Sequence, residues 1–310
     1  MKIELKAWLL LLVLASIWGS SFILMKKGMY HDAITPIFSA MQVGALRITI
    51  ASCVLLPFGI VNLCKIKSIK QFFLLATVGV FGNFIPAFLF TYAETGLSSG
   101  YAGMLNSFTP LFALIIGFVV FKIRLSTVQL IGVLIGFIGI VLLMLAGSDF
   151  DSKGTWWQIA AIVLATFMYG ISLNTIKHTL QNFSAIEITS LAFTIVFIPS
   201  LFANYYFGTI ATIQKNKYAI EGITAIALLA VIGTALATVI FNKVIAYTST
   251  LFASGVTYFI PIVAVLIGFS FGESVTIFQV IAMIIVLTGV FIANYWDLIS
   301  KKTKKTSTIK

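Results

Sequence analysis

The residue best placed to do chemistry in this chain is an arginine inside an apolar run. Arg47 lies about eleven residues into the apolar stretch 36–58, near mid-membrane if that stretch crosses a bilayer. A charge there costs at least ~2.5–3.5 kcal/mol, so it must face a helix-bundle interior or a wet cavity. Two readings are open. Arg47 binds a carboxylate or phosphate on a substrate, or it is a buried arginine hydrogen-bonded to helix carbonyls and polar neighbours. At similar depth in other apolar runs stand Trp18, Ser20, Gln42, Asn83, Asn106, Tyr169, Thr257 and Tyr258. Singly, each serves as a helix–helix hydrogen bond or packing contact. Together on facing helices they form a polar, ring-lined chamber. Tyr92 and Asn174 lie nearer the ends of their runs, where gates sit. Pro110 and Pro261 each remove a backbone hydrogen bond midway along a span and kink it. Gly103, Gly117, Gly255 and Gly268 flank them.

Other chemistries lack their residues. Glu94, Glu187 and Glu273 fall near span ends, and His31 and His178 fall in predicted loops. Proton coupling through an intramembrane acid or histidine therefore has little support. There is no His-Glu-x-x-His zinc helix and no phosphate-binding glycine loop. The Gly19-Ser20-Ser21 turn has no histidine in any span to act as its base. Cys53 and Cys64 offer neither a disulfide framework nor metal-ligand spacing. No enzyme activity, metal or cofactor is expected.

The elements that hold these residues are set by composition. The chain is 60% hydrophobic and 9% charged, against about 25% charge in soluble domains, so its solvent is lipid. A crossing helix needs about 20 apolar residues. Ten stretches qualify: 7–26, 36–58, 71–91, 99–121, 127–146, 157–176, 185–207, 222–242, 250–271 and 276–296. The expected fold is an all-α integral membrane protein of ten transmembrane helices. The first stretch also fits a signal peptide, but its apolar run continues to Met25 and nine more follow, so it reads as a retained helix. Trp8, Tyr30, Trp156, Trp157, Tyr205, Tyr206, Tyr295 and Trp296 fall near span ends, where amphipathic rings settle. Gly132, Gly136 and Gly139 make a small-residue stripe for close packing, within the fold or at a homodimer seam.

The chain is written twice. Shifted by 151 residues, Phe90, Ala102, Phe108, Pro110 and Gly117 fall on Phe241, Ala253, Phe259, Pro261 and Gly268. The same shift pairs Gly19 with Gly170, Ser21 with Ser172, Lys26 with Lys177 and Gly82 with Gly233; beyond residue 118 the shift is 150. The units are 7–146 and 157–296, followed by a basic tail, 297–310, read as disordered and cytoplasmic. With the N-terminus in the cytoplasm, fourteen basic residues fall inside and five outside, with Arg47 within a span. This imbalance places both termini in the cytoplasm, although Lys26 and Lys27 oppose it. The net charge of +11 thus belongs to anionic lipid headgroups rather than to nucleic acid. Five spans per copy is an odd number, so the copies enter the membrane from opposite sides as inverted repeats.

These residues also carry a resemblance. Trp18-Gly19-Ser20-Ser21-Phe22 resembles the opening signature of the EamA domain of the drug/metabolite transporter superfamily. The run 92–110 resembles that domain's passage from span 3 to span 4. Gly272-Glu273, with Thr276 and Gln279, resembles its acidic turn before the last span. The first copy departs, reading Lys122-Ile123-Arg124 where that turn belongs, and Tyr169-Gly170 stands in place of Trp-Gly. The resemblance covers about residues 7–296. It implies a ten-helix bundle with alternating access, in a bacterial inner membrane, exporting amino acids, related metabolites or toxic compounds.

The expected function is a small-molecule transporter. Its substrate-binding residues are Trp18, Arg47, Asn83, Tyr92, Asn106, Tyr169 and Tyr258, with hinges at Pro110 and Pro261. The alternative is a passive channel or facilitator, which needs a continuous wet path with rings of charge or carbonyls.

Overall fold

The computed structural model describes residues 2–32, 34–146, 155–247 and 256–307. In order, the helices are α1 (Lys2–Met29), α2 (Ala40–Asn62), α3 (Ile69–Gly79), α4 (Ile85–Ala93), α5 (Ser99–Leu105), α6 (Thr109–Val119) and α7 (Thr127–Ala146). They continue with α8 (Thr155–Thr179), α9 (Ala185–Tyr206), α10 (Thr209–Lys215), α11 (Ala219–Ala230), α12 (Ala237–Tyr247), α13 (Val256–Ser270) and α14 (Ile277–Ser307). No strand occurs among the described residues. Among the described residues, eight helical segments are long and apolar enough to cross a membrane, and two shorter apolar helices, Phe259–Ser270 and Ile277–Ala293, follow them. Large apolar side chains such as Leu134, Ile138, Phe202 and Phe269 point outward, as lipid requires.

The helix ends are written in the sequence. Ser39 and Gln42 exchange side-chain and backbone hydrogen bonds at the start of α2, and Ser184 and Glu187 do so at α9. Ser126 with Gln129 and Thr276 with Gln279 repeat the same box before α7 and α14. Each such cap is worth ~1 kcal/mol.

Two spans contain a turn that no composition signal announced. Between α3 and α4 the backbone widens into a π-turn, Val80–Phe84. Between α11 and α12 it does the same at Val231–Leu236. Gly82 and Gly233, one repeat apart, sit inside these turns. In the first, Pro86 has no N–H to give the Gly82 carbonyl, which favours widening there.

Contacts between the copies come in exchanged pairs. A Cβ on Gly19 would meet Val263 and Ala264, and one on Gly170 would meet Phe112 and Ala113. A Cβ on Gly233 would press on Ser21 Oγ at 2.9 Å, and one on Gly82 would collide with Ser172 Oγ. Gly139 abuts Val286, while Gly289 abuts Gly136. Thr49 Oγ1 and Ser200 Oγ, equivalent to each other, hydrogen-bond at 2.8 Å. The glycine stripe of α7 therefore packs against α14 within the fold.

Two expectations need correction. His178 is not in a loop; it lies in the last turn of α8, beside the Phe121 ring. The helix of α14 runs on through the lysine-rich tail to Ser307, since no proline or glycine stops it. The two prolines also differ. A 3₁₀ turn, Asn106–Phe108, breaks the span just before Pro110, whereas α13 runs through Pro261 from Val256 to Ser270. Residues 248–255, including Gly255, lie outside the described residues.

Candidate functional site

A cavity of about 300 Å³ lies among α1, α2, both π-turns, α4, α6, α8, α12 and α13. Its deep part is built by Trp18, Met25, Arg47, Gly82, Asn83, Phe90, Asn106, Tyr169, Gly233, Thr234 and Phe241. From there it runs to Arg124 and Lys177, which are exposed at one end of the bundle.

Arg47 is held from two sides. Its Nε donates to Thr234 Oγ1 at 2.8 Å, and its Nη1 lies 3.8 Å from the Met25 sulfur. Thr234 Oγ1 in turn donates to the Leu229 carbonyl, five residues back, at 3.0 Å. This carbonyl is reachable because the π-turn widens the ladder there. Among the described residues no carboxylate pairs with Arg47 and Nη2 has no hydrogen-bond partner, so the guanidinium keeps donors for a solute. Its counterpart in the second copy, Ile198, is 68% exposed on the outer surface. The guanidinium thus exists in one copy only.

The rings are fixed as well. Trp18 Nε1 donates to the Gly233 carbonyl at 3.0 Å, a second acceptor opened by the same π-turn, and the indole meets Phe241 edge-on at 5.0 Å. Tyr169 stacks on Phe90 at 5.8 Å. Asn83 Nδ2 donates to the Val78 carbonyl at 3.3 Å in the first π-turn, and Asn174 Nδ2 donates to the Ala113 carbonyl at 2.8 Å.

Of the sequence candidates, Trp18, Arg47, Asn83, Asn106, Tyr169, Asn174, Thr257 and Pro110 line the cavity. Tyr92 and Ser20 do not, nor does Pro261. Gln42 is a cap, donating to the Phe207 carbonyl and Thr212 Oγ1. Depth alone does not say which way a side chain points around its helix. The Tyr258 side chain lies outside the described residues. Sequence reasoning missed Ser172, Thr234 and Phe241 as lining residues. The repeat held a signal for Thr234, the counterpart of the candidate Asn83, whereas Ser172 and Phe241 are the counterparts of Ser21 and Phe90, which were not candidates.

At the other end the bundle is sealed by a charge cluster. Lys26 Nζ donates to Glu273 Oε1 at 2.7 Å and stands 3.9 Å from Glu94 Oε2. Glu273 also accepts the backbone N–H groups of Ser99 and Gly100, at 3.0 and 3.1 Å. These are the first amides of α5, where a helix end favours an anion. Glu94 accepts from Ser99 Oγ at 3.2 Å, and its Oε1 is buried without a hydrogen-bond partner among the described residues. Burial pushes the Glu94 carboxyl up to about 8, with Lys26 opposing and Glu273 adding to the rise. Burial also acts to raise Glu273, but the Lys26 hydrogen bond and the two amides outweigh it and hold it below its ordinary value. Lys26, which opposed the positive-inside count, is thus held by acids.

The chain matches the EamA-like transporter family model twice, at residues 5–145 and 156–295. The chain belongs to the EamA-like transporter family. It is therefore a multi-pass membrane transporter and not an enzyme. An uncharacterised transporter of Archaeoglobus fulgidus is 25% identical over 63% of this chain and 66% of its own length. The uncharacterised inner membrane transporter YedA of Escherichia coli K12 is 24% identical over 84% of this chain and 81% of its own. A crystal structure superposes on this EamA-like chain with a TM-score of 0.62 at 13% identity, covering 93% of this chain and 96% of that one. That likeness speaks to the fold alone.

Within this family member the two acidic-turn positions diverge in chemistry while keeping one backbone. Glu273 N donates to the Gly268 carbonyl at 2.9 Å, and Ile123 N donates to the equivalent Gly117 carbonyl at 3.0 Å. Gly272 has φ +81, and Lys122 takes φ +53 in its place, at a cost of about 1–2 kcal/mol for a residue with a Cβ. The turn survives in the first copy without its carboxylate.

Proposed function

We propose that this protein is a carrier that exports small organic metabolites or toxic compounds by alternating access. In this reading ten helices form two inverted five-helix repeats, with both termini in the cytoplasm of a bacterial inner membrane. The observation that carries it is a cavity that reaches the Arg124 and Lys177 end and stops short of the Lys26–Glu273–Glu94 cluster at the other end. The exchanged contacts between copies support a two-fold relation, which gives an inverted-repeat bundle two alternative closures of similar kind. The relatives' names, a transporter and an inner membrane transporter, agree with the location.

Closure is unequal in this chain. Lys26 has two acids beside it. The sequence positions equivalent to Glu273 and Glu94 in the other half are Ile123 and Ile245. The ion cluster then favours the state open toward Arg124, which the positive-inside count makes the cytoplasmic face.

The test is a compound-sensitivity screen of cells with and without the protein, followed by counterflow of the hits in proteoliposomes. Saturable, trans-stimulated exchange is expected. Unsaturable flux or single-channel current would instead establish a passive pore.

A further inference from the structure

The charges lining the cavity share one sign. Arg47 stands at its depth, and Arg124 and Lys177 stand at its mouth. Among the described residues no Asp or Glu lines it. Glu94 and Glu273 are held at the sealed end by Lys26. Glu187 is paired with Lys65, Glu221 with His31, and Asp32 accepts from the Thr35 backbone. Glu4, Asp149, Asp151 and Asp297, whose side chains lie outside the described residues, fall outside the apolar stretches or at their ends in the sequence.

We infer that the solute is a small organic anion with no cationic group, its acid held by Arg47 and its apolar part held among Trp18, Phe90, Tyr169 and Phe241. This inference rests on the carrier reading and names its substrate class. The geometry separates the parts. Arg47 is fixed through Nε by Thr234, which leaves the Nη face for a planar or tetrahedral acid group. The rings supply apolar walls next to it. About 300 Å³ is at the small end of ligand pockets, which fits a solute of one ring or a short branched chain. A cation would approach Arg124 at the mouth and Arg47 at depth, with no carboxylate among the described residues to receive it. A zwitterionic amino acid would bring an ammonium into the same field. Rejection by like charge is as much a part of selectivity as the attraction. Arg124 at the exposed mouth would raise the encounter rate of anions more than their affinity.

The experiment is equilibrium dialysis of the purified full chain in detergent against four labelled single-ring probes. These are benzoate, phenyl phosphate, benzylamine and phenylalanine. The expected result is saturable binding of benzoate or phenyl phosphate, and at least tenfold weaker binding of benzylamine and phenylalanine. Arg47→Gln should weaken the anion by about tenfold or more, and Arg47→Lys should restore part of the loss. Comparison of the probes on the unmodified protein decides the matter even if a variant fails to fold. Benzylamine or phenylalanine binding as tightly as the anions, no anion binding, or an Arg47→Gln affinity equal to the parent's would overturn the inference. Counterflow keeps the two claims apart. Exchange of a neutral or cationic solute without anion binding leaves the carrier and removes the anion. Anion binding without exchange of any solute leaves the site and removes the carrier.

Discussion

At the scale of single residues, the chain places its two kinds of charge in different environments. Arg47 is left with donors facing a cavity, whereas Glu94 and Glu273 are packed around one lysine. The acids give opposite pH signatures. Glu94 holds its proton to about 8 instead of its ordinary 4.5. Its contribution to stability is therefore full at low pH and is lost as pH rises toward and through 8. Glu273 is held below its ordinary value, so its contribution is present above 4.5 and is lost as pH falls. Thermal unfolding in detergent, followed from about pH 4 to about pH 9, should show stability highest between the two limbs. Glu94→Gln should flatten the alkaline limb, and Glu273→Gln the acid one. Unchanged limbs in both variants would show that the cluster does not titrate with folding. None of this was legible from spacing. Glu94 and Glu273 read as acids at span ends, and only the packing of α1 against the turn before α14 brings Lys26 to them.

At the scale of elements, the repeat decides most of the packing. Proline, glycine and lysine identities held in register were enough to show two copies, because apolar drift does not reproduce such residues by chance. The caps before α2, α7, α9 and α14 carry a local signal, Ser or Thr followed three residues later by Gln or Glu, which a reading by depth passes over, as it does at Gln42. The π-turns carry no such signal. Their residues, Val80–Phe84 and Val231–Leu236, read as ordinary apolar helix, yet the second frees the carbonyls that hold Trp18 and Thr234. α7 and α14 approach closely, and a Cβ on Gly289 would collide with the Gly136 backbone. Gly289→Val should therefore cost about 1–3 kcal/mol by overpacking, read as a lower unfolding temperature. A neutral result would mean that the two helices separate freely. Gly208, which has φ +65 and open space around it, should lose about 1–2 kcal/mol on replacement by alanine, for reasons of backbone conformation alone.

At the scale of the whole molecule, the central claim is that two similar halves open in turn around one chamber, and that the Lys26–Glu273 contact holds one side shut. The proposed inverted arrangement rests on the parity of five spans, and the exchanged glycine and serine contacts are what such a design would produce. The asymmetry between the ends was visible only as a missing carboxylate near residue 122. Its meaning depends on Lys26 and Lys177 being equivalent. The most direct measurement is side-specific labelling of a single cysteine at Ser21, which lines the cavity, in protein whose Cys53 and Cys64 are replaced by serine. A membrane-impermeant thiol reagent is applied from either face of oriented proteoliposomes. With the ion cluster intact, labelling should come from the Arg124 face and be slow from the Lys26 face. Glu273→Gln should speed labelling from the Lys26 face and slow it from the other. Equal access from both faces in the parent, or rates that ignore Glu273→Gln, would contradict the account.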